Sequence, residues 1–465
     1  MKNQKKSEKS ILNSIIPISN NQPNSAFSFF IAFLFTIIMV LPLHAQHPHG
    51  WHKDRQNRIA IDFNKTHEEV KNYIKRYIPD VTDSLMEAWE QSGALETYFI
   101  NGKKHYFHSA GPNLFRIDKA CRDIKAGVSK VGDSGAMTDD IVNIPAIIKN
   151  SGPDHLAEPK RIRVRYTITV NPDAVPDGTL LRCWMPFPRT DIKRQTNVKL
   201  ISTSQDKFIR SPMSCDHSSI YMEHKAQKGQ PTIFSEEFEF TTRGAWFNLK
   251  PSDVKPYNKH SAAYRKFTEN RRQHIIVTPR LQQLADSITR GISNPLLQAS
   301  AIFTYINDHF PWASAREYST IPNIPEYVID NKHGDCGQVT LLFLTLCRAK
   351  GIPGHFQSGF MMHPHEQNLH DWCEIYFEGP GWVPVDQSFG IMDFSNDEAI
   401  RYFFLGGIDS WRMVVNNDFS RNLYPAKKFP RSETVDFQRG EVEWYGGNLY
   451  FDKWHWAIDV QYLEP

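Results

Sequence analysis

Hydrophobic and polar positions follow three successive patterns along the chain after residue 45. Residues 46–155 combine helical periodicity with one hairpin signal, and residues 156–252 consist of short β-branched and aromatic runs between turn formers. Residues 255–415 begin with helical stripes and continue with strands, whereas 416–465 is aromatic-rich and shows no clear period. These patterns predict an α+β fold: a mixed helical and hairpin region, a small antiparallel β domain, a third domain and a C-terminal extension.

The first region contains three local signals of regular structure. Thr66 and Glu69 form a capping box before a helical stripe, and a second helix is predicted around Asp83 to Gln91. Asn101-Gly102 lies between two short apolar runs, which favours a hairpin with a type I′ turn.

The third domain contains the most hydrophobic helix of the chain. An almost wholly apolar run at 339–347 follows Asp335 and Cys336, so a helix is predicted from Cys336 to Lys350, with Asp335 as its cap. Gly351 fits the position just past the helix end. Upstream, Asn294-Pro295 is typical of a helix start. Strands are predicted at about 354–361, 370–377 and 382–387.

Residues 1–45 differ from the rest in charge and hydropathy. Lysines precede the apolar stretch Phe27 to Leu43, and this segment holds all of the chain's formal charge of +3. We predict an export signal cleaved near Ala45, with a membrane anchor as the alternative. The mature chain would be secreted or periplasmic, and association with the cell envelope stays open. Its near-neutral charge gives no electrostatic basis for binding nucleic acid.

Cys336 is the candidate nucleophile because of its place at a helix start. Unpaired N–H groups and the positive end of the helix dipole favour the thiolate, which is the reactive form of cysteine. Gly334 and Gly337 allow a close backbone approach, and the N–H of Cys336 is suited to stabilising an oxyanion. A buried structural cysteine is the plain alternative.

His370 and Asp386 complete a cysteine, histidine and aspartate set in chain order. His370 is the candidate base and Asp386 the group that orients it. A hairpin centred on Gly379-Pro380 would place Asp386 opposite Cys373, three residues and about 10 Å from His370. A bulge or an asymmetric loop is then needed. Asp371 is a weaker substitute, because strand alternation turns it to the opposite face.

A metal site is an alternative interpretation of the histidines at 355, 363, 365 and 370. Pro364 between His363 and His365 does not give the helical spacing of a ligand pair, and the six cysteines show no zinc-type spacing. No calcium-loop or nucleotide motif accompanies them. We therefore predict no cofactor and no bound metal.

Four segments in order resemble the transglutaminase-like core, a superfamily related to papain. They are Gly334-Asp-Cys336, Arg348-Ala-Lys-Gly-Ile-Pro353, His370-Asp-Trp-Cys-Glu374 and Gly381-Trp-Val-Pro-Val-Asp386. The resemblance covers about residues 275–390. It implies a cysteine-bearing helix packed on an antiparallel sheet, with Cys336 as nucleophile, His370 as base and Asp386 as orienting residue. It also implies that loop shape brings Asp386 to His370.

The resemblance implies a shared acyl-thioester step but does not select the reaction. We predict an exported enzyme that acts on peptide or side-chain amide bonds of a protein or peptide substrate, with hydrolysis favoured over amine transfer. A cross-linking transglutaminase is one alternative. The other is a catalytically inactive protein with a degenerate core that binds protein or carbohydrate. The sequence does not specify the oligomeric state.

Overall fold

The computed structural model describes residues 51–128 and 143–464, so the predicted export signal at 1–45 lies outside the described residues. No helix within these ranges is both long and apolar enough to cross a membrane. The helices are α1 (Trp51–Asp62), α2 (His67–Lys75), α3 (Asp83–Gln91), α4 (Ala110–Ile117), α5 (Lys119–Val128), α6 (Ile144–Asn150), α7 (Ala262–Thr268), α8 (Pro279–Ile288), α9 (Pro295–His309), α10 (Ile324–Asn331), α11 (Cys336–Ala349) and α12 (Glu398–Arg401).

The strands and two short 3₁₀ turns complete the described elements. The turns are Pro251–Asp253 and Tyr318–Thr320. The strands are β1 (Thr97–Ile100), β2 (Lys103–Tyr106), β3 (Leu156–Val170), β4 (Leu180–Pro186), β5 (Gln195–Thr203), β6 (Phe208–Arg210), β7 (Ser219–Lys225), β8 (Thr232–Trp246), β9 (Gly354–His363), β10 (Glu366–Phe377), β11 (Gly381–Val385), β12 (Gly407–Ile408), β13 (Arg412–Asn416), β14 (Glu441–Trp444), β15 (Gly447–Leu449) and β16 (Trp454–Leu463).

The core sheet is antiparallel in the order β11-β10-β9-β13, and α11 packs against it. Every residue of β9 is buried, as is every residue of α11 from Gly337 to Arg348. Apolar side chains of α11 share one cluster with Cys373 and Ile375 of β10. The predicted α+β class, with the cysteine-bearing helix on an antiparallel sheet, is confirmed.

The limits of α11 follow the predicted capping pattern. The Asp335 carboxylate accepts the Gln338 N–H at 3.0 Å, and Gln338 Oε1 in turn accepts the Asp335 N–H at 3.2 Å. This reciprocal pair fixes Cys336 as the first helical residue. At the other end, Gly351 adopts a φ of +74°, which permits a sharp exit.

Two further sheets build the β domain. One has the order β12-β8-β3-β16 with β5 also on β8, and the other has the order β15-β14-β4-β7-β6. The short runs predicted within residues 156–252 correspond to strands of this domain, but β14 and β16 come from the predicted extension 416–465. That segment therefore shares both sheets with 156–252. At the predicted 415 boundary, β13 pairs with β9 in the core sheet.

The N-terminal region forms its own hydrophobic cluster and contacts the core domain. The Thr66–Glu69 capping box and the Asn101-Gly102 turn between β1 and β2 are present as predicted. Asn113 exchanges two hydrogen bonds with the Ser314 backbone, at 2.9 and 3.0 Å. Asp62 accepts the Glu317 N–H at 2.9 Å. The N-terminal region thus supports the segment that precedes α10.

Candidate active site

Cys336 opens α11 and is half-buried. Its thiol donates a hydrogen bond to Asp371 Oδ2, with Sγ and oxygen 3.5 Å apart. Burial, followed by the charges of Asp371 and Asp335, raises the pKa of the Cys336 thiol well above its usual value. The prediction that the helix start favours a thiolate is therefore wrong for this state, because burial and two carboxylates outweigh the helix dipole.

Gly337 permits the close approach of α11 to β10. A Cβ atom at this position would lie 2.6 Å from Asp371 Oδ2 and would also meet the Tyr318 hydroxyl. The Tyr318 hydroxyl donates to Asp335 Oδ1 at 2.5 Å. The second glycine of the motif thus makes room for these neighbours of the thiol.

His370 lies on β10 and its imidazole is almost fully buried. Its Nε2–H donates to Asp386 Oδ2 at 2.7 Å, and Phe389 packs on the ring with centroids 4.8 Å apart. Burial lowers the pKa of His370, although the Asp386 charge opposes the shift. A neutral imidazole at neutral pH is the form that can accept a proton.

Asp386 reaches His370 because the hairpin register differs from the predicted one. Phe377 pairs with Gly381 and Cys373 with Val385, so the loop consists of residues 378–380. Gly379 and Gly381 adopt φ values of +110° and +90°, which this three-residue connection uses. The predicted pairing of Asp386 with Cys373 is wrong by one residue. That single step turns Asp386 to the face of β10 that carries His370.

Asp386 is held by a buried network. Its Oδ1 accepts the N–H groups of Ser388 and Phe389 at 3.1 and 3.0 Å, and Arg412 Nη1 donates to Oδ2 at 2.8 Å. Burial alone would raise the pKa of Asp386, but the charges of His370 and Arg412 outweigh it and hold the pKa below its usual value. Asp386 is therefore ionised at neutral pH.

Arg412 and its partner Asp409 were not identified from sequence. Arg412 Nη2 donates to Asp409 Oδ2 at 2.6 Å, and both side chains are fully buried. The surrounding residues carry no motif that relates them to His370. Only the pairing of β13 with β9 brings Arg412 to the site.

The hydrogen bonds divide the predicted residues into two pairs: Cys336 with Asp371, and His370 with Asp386. In the ranges the structure describes, no hydrogen bond joins Cys336 Sγ to His370. Asp371 does face away from His370, as strand alternation predicted. Cys336 lies against that second face, which is why Asp371 and not His370 contacts the resting thiol.

A cavity of about 250 Å³ opens in front of Cys336 and Asp371. Residues of 312–319 form one wall and residues of 432–439 form the other. Arg439 connects the walls, since it donates to Glu317 at 2.8 and 3.0 Å and to Glu433 at 2.6 Å.

Three of the four histidines considered as metal ligands, namely His355, His363 and His370, have separate carboxylate neighbours. His355 Nε2 lies 3.1 Å from Glu374, and His363 Nε2 lies 3.2 Å from Asp409. Across 51–128 and 143–464, no group of three or more His, Cys, Asp or Glu side chains is arranged to hold a metal ion.

Comparison with known proteins identifies relatives of part of the chain. Over 130 residues it is 23% identical to the Bacillus subtilis protein YebA, which covers 24% of this chain and 18% of YebA. Over 129 residues it is 24% identical to a protein-glutamine gamma-glutamyltransferase of Pseudomonas aeruginosa, covering 24% of this chain and 19% of that protein. The matched segment thus spans less than a fifth of the length of these relatives.

A solved structure with similarity over a larger part of the chain is a candidate cysteine protease from Cytophaga hutchinsonii. It covers 67% of this chain and 93% of its own, at 14% identity and a TM-score of 0.45. The family model of the transglutaminase-like superfamily matches residues 282–387, a range that contains Cys336, His370 and Asp386. The chain therefore carries a transglutaminase-like superfamily domain over these residues.

Proposed function

We propose that this protein is an exported thiol enzyme that hydrolyses peptide or side-chain amide bonds through a thioester on Cys336. The observation that carries the proposal is the buried hydrogen bond of 2.7 Å from His370 Nε2 to Asp386. Because the Asp386 carboxylate accepts a hydrogen bond from the Nε2–H group, the proton stays on Nε2 and Nδ1 is the basic nitrogen of the ring. A carboxylate that fixes the imidazole in this way is the arrangement that a base in acyl transfer requires.

The first step transfers the thiol proton to His370 during attack. Sγ attacks the amide carbon as Nδ1 of His370 accepts the thiol proton, a step that requires the thiol and the imidazole, which lie at opposite faces of β10 in the resting structure, to come together. The backbone N–H of Cys336, at the helix start, stabilises the oxyanion. The C–N bond then breaks, the leaving amine takes the proton from His370, and the acyl group remains on sulfur as a thioester.

Water resolves the thioester in the second step. Nδ1 of His370 accepts a proton from water as the oxygen attacks the thioester carbon. The C–S bond breaks, the acid leaves, and the Cys336 thiol recovers its proton. Transfer to an amine would instead require a neutral amine beside Cys336. The carboxylates of Asp335 and Asp371 near the thiol favour a protonated amine, which is not a nucleophile.

Mass spectrometry on a peptide library, with and without an added primary amine, tests the proposal. We expect cleaved or deamidated products, and a loss of roughly 10²-fold or more in rate for Cys336→Ala and His370→Gln. His455→Gln, on the exposed surface of β16, is the matched control and should behave as the unaltered chain.

Two outcomes would point to the alternatives. Predominant incorporation of the added amine would indicate a cross-linking transglutaminase. Absence of any product that depends on Cys336 would indicate a binding protein with an inactive core. Export is tested separately by N-terminal sequencing of the protein from the cell envelope and the medium, where a start near Gln46 is expected.

A further inference from the structure

The cavity in front of Cys336 has more acidic than basic groups in its walls. The carboxylates that line it belong to Glu317, Asp335, Asp371, Glu433 and Asp436, and the guanidinium groups belong to Arg316 and Arg439. Arg439 is committed to Glu317 and Glu433. Arg316 lies 3.6 Å from Glu96, which is not among the lining residues. No residue that the structure describes forms an ion pair with any of the three aspartates.

Two of these aspartates have neutral partners and one has none. Asp335 accepts hydrogen bonds from Gln338 N and the Tyr318 hydroxyl, and Asp371 Oδ1 accepts from Gln438 Nε2 at 3.0 Å. No hydrogen bond or ion pair reaches the Asp436 carboxylate from the residues that the structure describes, although Asp436 is only 8% exposed.

Ser319 is a second buried group without a partner in the same cavity. Its side chain is 8% exposed, and no described atom forms a hydrogen bond with its Oγ. Buried polar groups are normally satisfied, so the unpartnered carboxylate of Asp436, a residue that lines the cavity, points to a ligand that supplies N–H donors. Burial, reinforced by neighbouring carboxylates, raises the pKa of Asp371 and Asp436 well above the usual range, and at Asp436 the charges of Arg439 and Arg431 oppose this shift without cancelling it.

We propose that this cavity binds the free ammonium group of the acyl donor, so that the preferred substrate is a peptide attacked at the carbonyl of its N-terminal residue. This inference rests on the proposed thioester chemistry. Asp371 Oδ2 lies 3.5 Å from the attacking sulfur, so a group bound there is close to the reacting carbon. An α-ammonium is separated from its carbonyl carbon by a single atom, and the carboxylates of Asp371 and Asp436 are acceptors for its N–H groups.

The carboxylates of Asp371 and Asp436 also determine whether a bound amine can react as a nucleophile. An ammonium bound to Asp371 and Asp436 holds its proton, because the charged form is stabilised. It therefore serves as a recognition group and not as an acyl acceptor. An organic cation is favoured over a metal ion, because the described side chains form no group with metal-ligand geometry.

Matched peptides that differ only at the N-terminus provide the first test on the full chain. We expect kcat/KM for a peptide with a free α-amine to exceed that for its N-acetyl and desamino analogues by roughly 10- to 100-fold. Asp436→Asn should reduce this ratio to within about threefold of unity. Asp459→Asn, an exposed carboxylate on β16, should leave the ratio unchanged. A peptide with an acetylated N-terminus and an internal lysine distinguishes an α-ammonium from a side-chain ammonium.

Charge-selective modification of the thiol provides a second test that needs no turnover. Aminoethyl, methyl and sulfonatoethyl methanethiosulfonates carry a cation, no charge and an anion, and peptide mass spectrometry follows labelling of Cys336. We expect the cationic reagent to react roughly tenfold or more faster than the neutral one, with Asp436→Asn removing the preference. Since each ratio is taken within one variant, a general loss of stability does not alter it.

The outcomes separate this inference from the proposed function. Equal cleavage of free and acetylated peptides, equal reagent rates, or no labelling of Cys336 by any reagent would overturn the ammonium site. Cleavage that depends on Cys336, with equal kcat/KM for free and acetylated peptides, would support the proposed hydrolysis and contradict the ammonium site. A cationic preference in labelling without cleavage of any peptide would support the ammonium site while contradicting the proposed hydrolysis.

Discussion

At the scale of single residues, the environment of Cys336 decides when its thiol ionises. The helix start was expected to produce a thiolate, yet the sulfur faces Asp371 across a buried contact of 3.5 Å. Strand alternation correctly placed Asp371 and His370 on opposite faces of β10. It gave no information on what lies opposite each face, because that depends on how α11 docks on the sheet. The sequence therefore suggested Cys336 as a candidate nucleophile but did not reveal that Asp371 is the neighbour of its thiol.

Replacing Asp371 tests this control of ionisation. In Asp371→Asn the negative charge next to Sγ is absent, so the pKa of Cys336 should fall. The midpoint of the pH profile for iodoacetamide labelling should move down by roughly one unit or more. An unchanged midpoint would contradict the assigned contact. Asp459→Asn, an exposed substitution on β16, should have the same pH profile of labelling as the unaltered chain.

Asp386 is predicted to act through His370 and not on the substrate. Asp386→Asn presents an amide in place of the carboxylate, which allows the other imidazole tautomer and leaves Arg412 without one of its two carboxylates. We expect kcat for peptide hydrolysis to fall by roughly 10²- to 10⁴-fold with a much smaller change in KM.

The control for this substitution is Asp397→Asn, an exposed helix cap at the start of α12. A variant Asp386→Asn with near-normal kcat would contradict the role of Asp386. Urea unfolding of both variants shows whether a loss of activity follows from a loss of fold.

At the scale of elements, local sequence signals located most helices and strands but did not give the correct register of the β10–β11 hairpin. The capping pattern placed the start of α11 at Cys336, because caps depend on residues within one turn. The β10–β11 hairpin was misjudged by one residue, because two glycines with positive φ allow loops of different length. That residue determines whether Asp386 reaches His370.

The cap of α11 should contribute measurable stability. Asp335→Ala removes the acceptor of the Gln338 N–H and of the Tyr318 hydroxyl, so we expect the free energy of unfolding to fall by about 1–2 kcal/mol or more in urea titration. Asp335→Asn keeps an oxygen acceptor and should recover most of this loss.

Thr66→Ala provides the comparison for a cap on a more exposed helix. It removes the corresponding acceptor at α2 and should cost about 1 kcal/mol without affecting Cys336 labelling. Equal stability of Asp335→Ala and the unaltered chain would show that the buried contacts of α11 suffice to fix its start.

At the scale of the whole molecule, distant segments assemble the surroundings of the site. The N-terminal region supports the wall at 312–319, and the segment 432–439 forms the opposite wall. Neither relationship was predicted, because no local pattern specifies that Asn113 has a partner 201 residues away or that Arg439 has a partner 122 residues away. The aromatic richness of 416–465 reflects strands that complete two sheets with distant partners, which sequence periodicity alone did not show.

The support given by Asn113 is predicted to affect substrate binding. Asn113→Ala removes both hydrogen bonds to the Ser314 backbone, which should loosen the wall at 312–319. We expect KM for the best peptide of the library screen to rise by roughly three- to tenfold, with kcat changed by less than about twofold. Asn171→Ala, which removes an exposed hydrogen bond to Asp452, is the control. A fall in kcat with unchanged KM would contradict this role.

The pairing of β16 with β3 has a consequence for the order in which the protein matures. These strands join residues 454–463 to residues 161–170, so the sheet that β3 begins acquires this partner only after all the residues between the two strands have been synthesised. The cavity wall at 432–439 is also made late. A ribosome-bound chain therefore contains Cys336 before the residues of the second cavity wall have been synthesised.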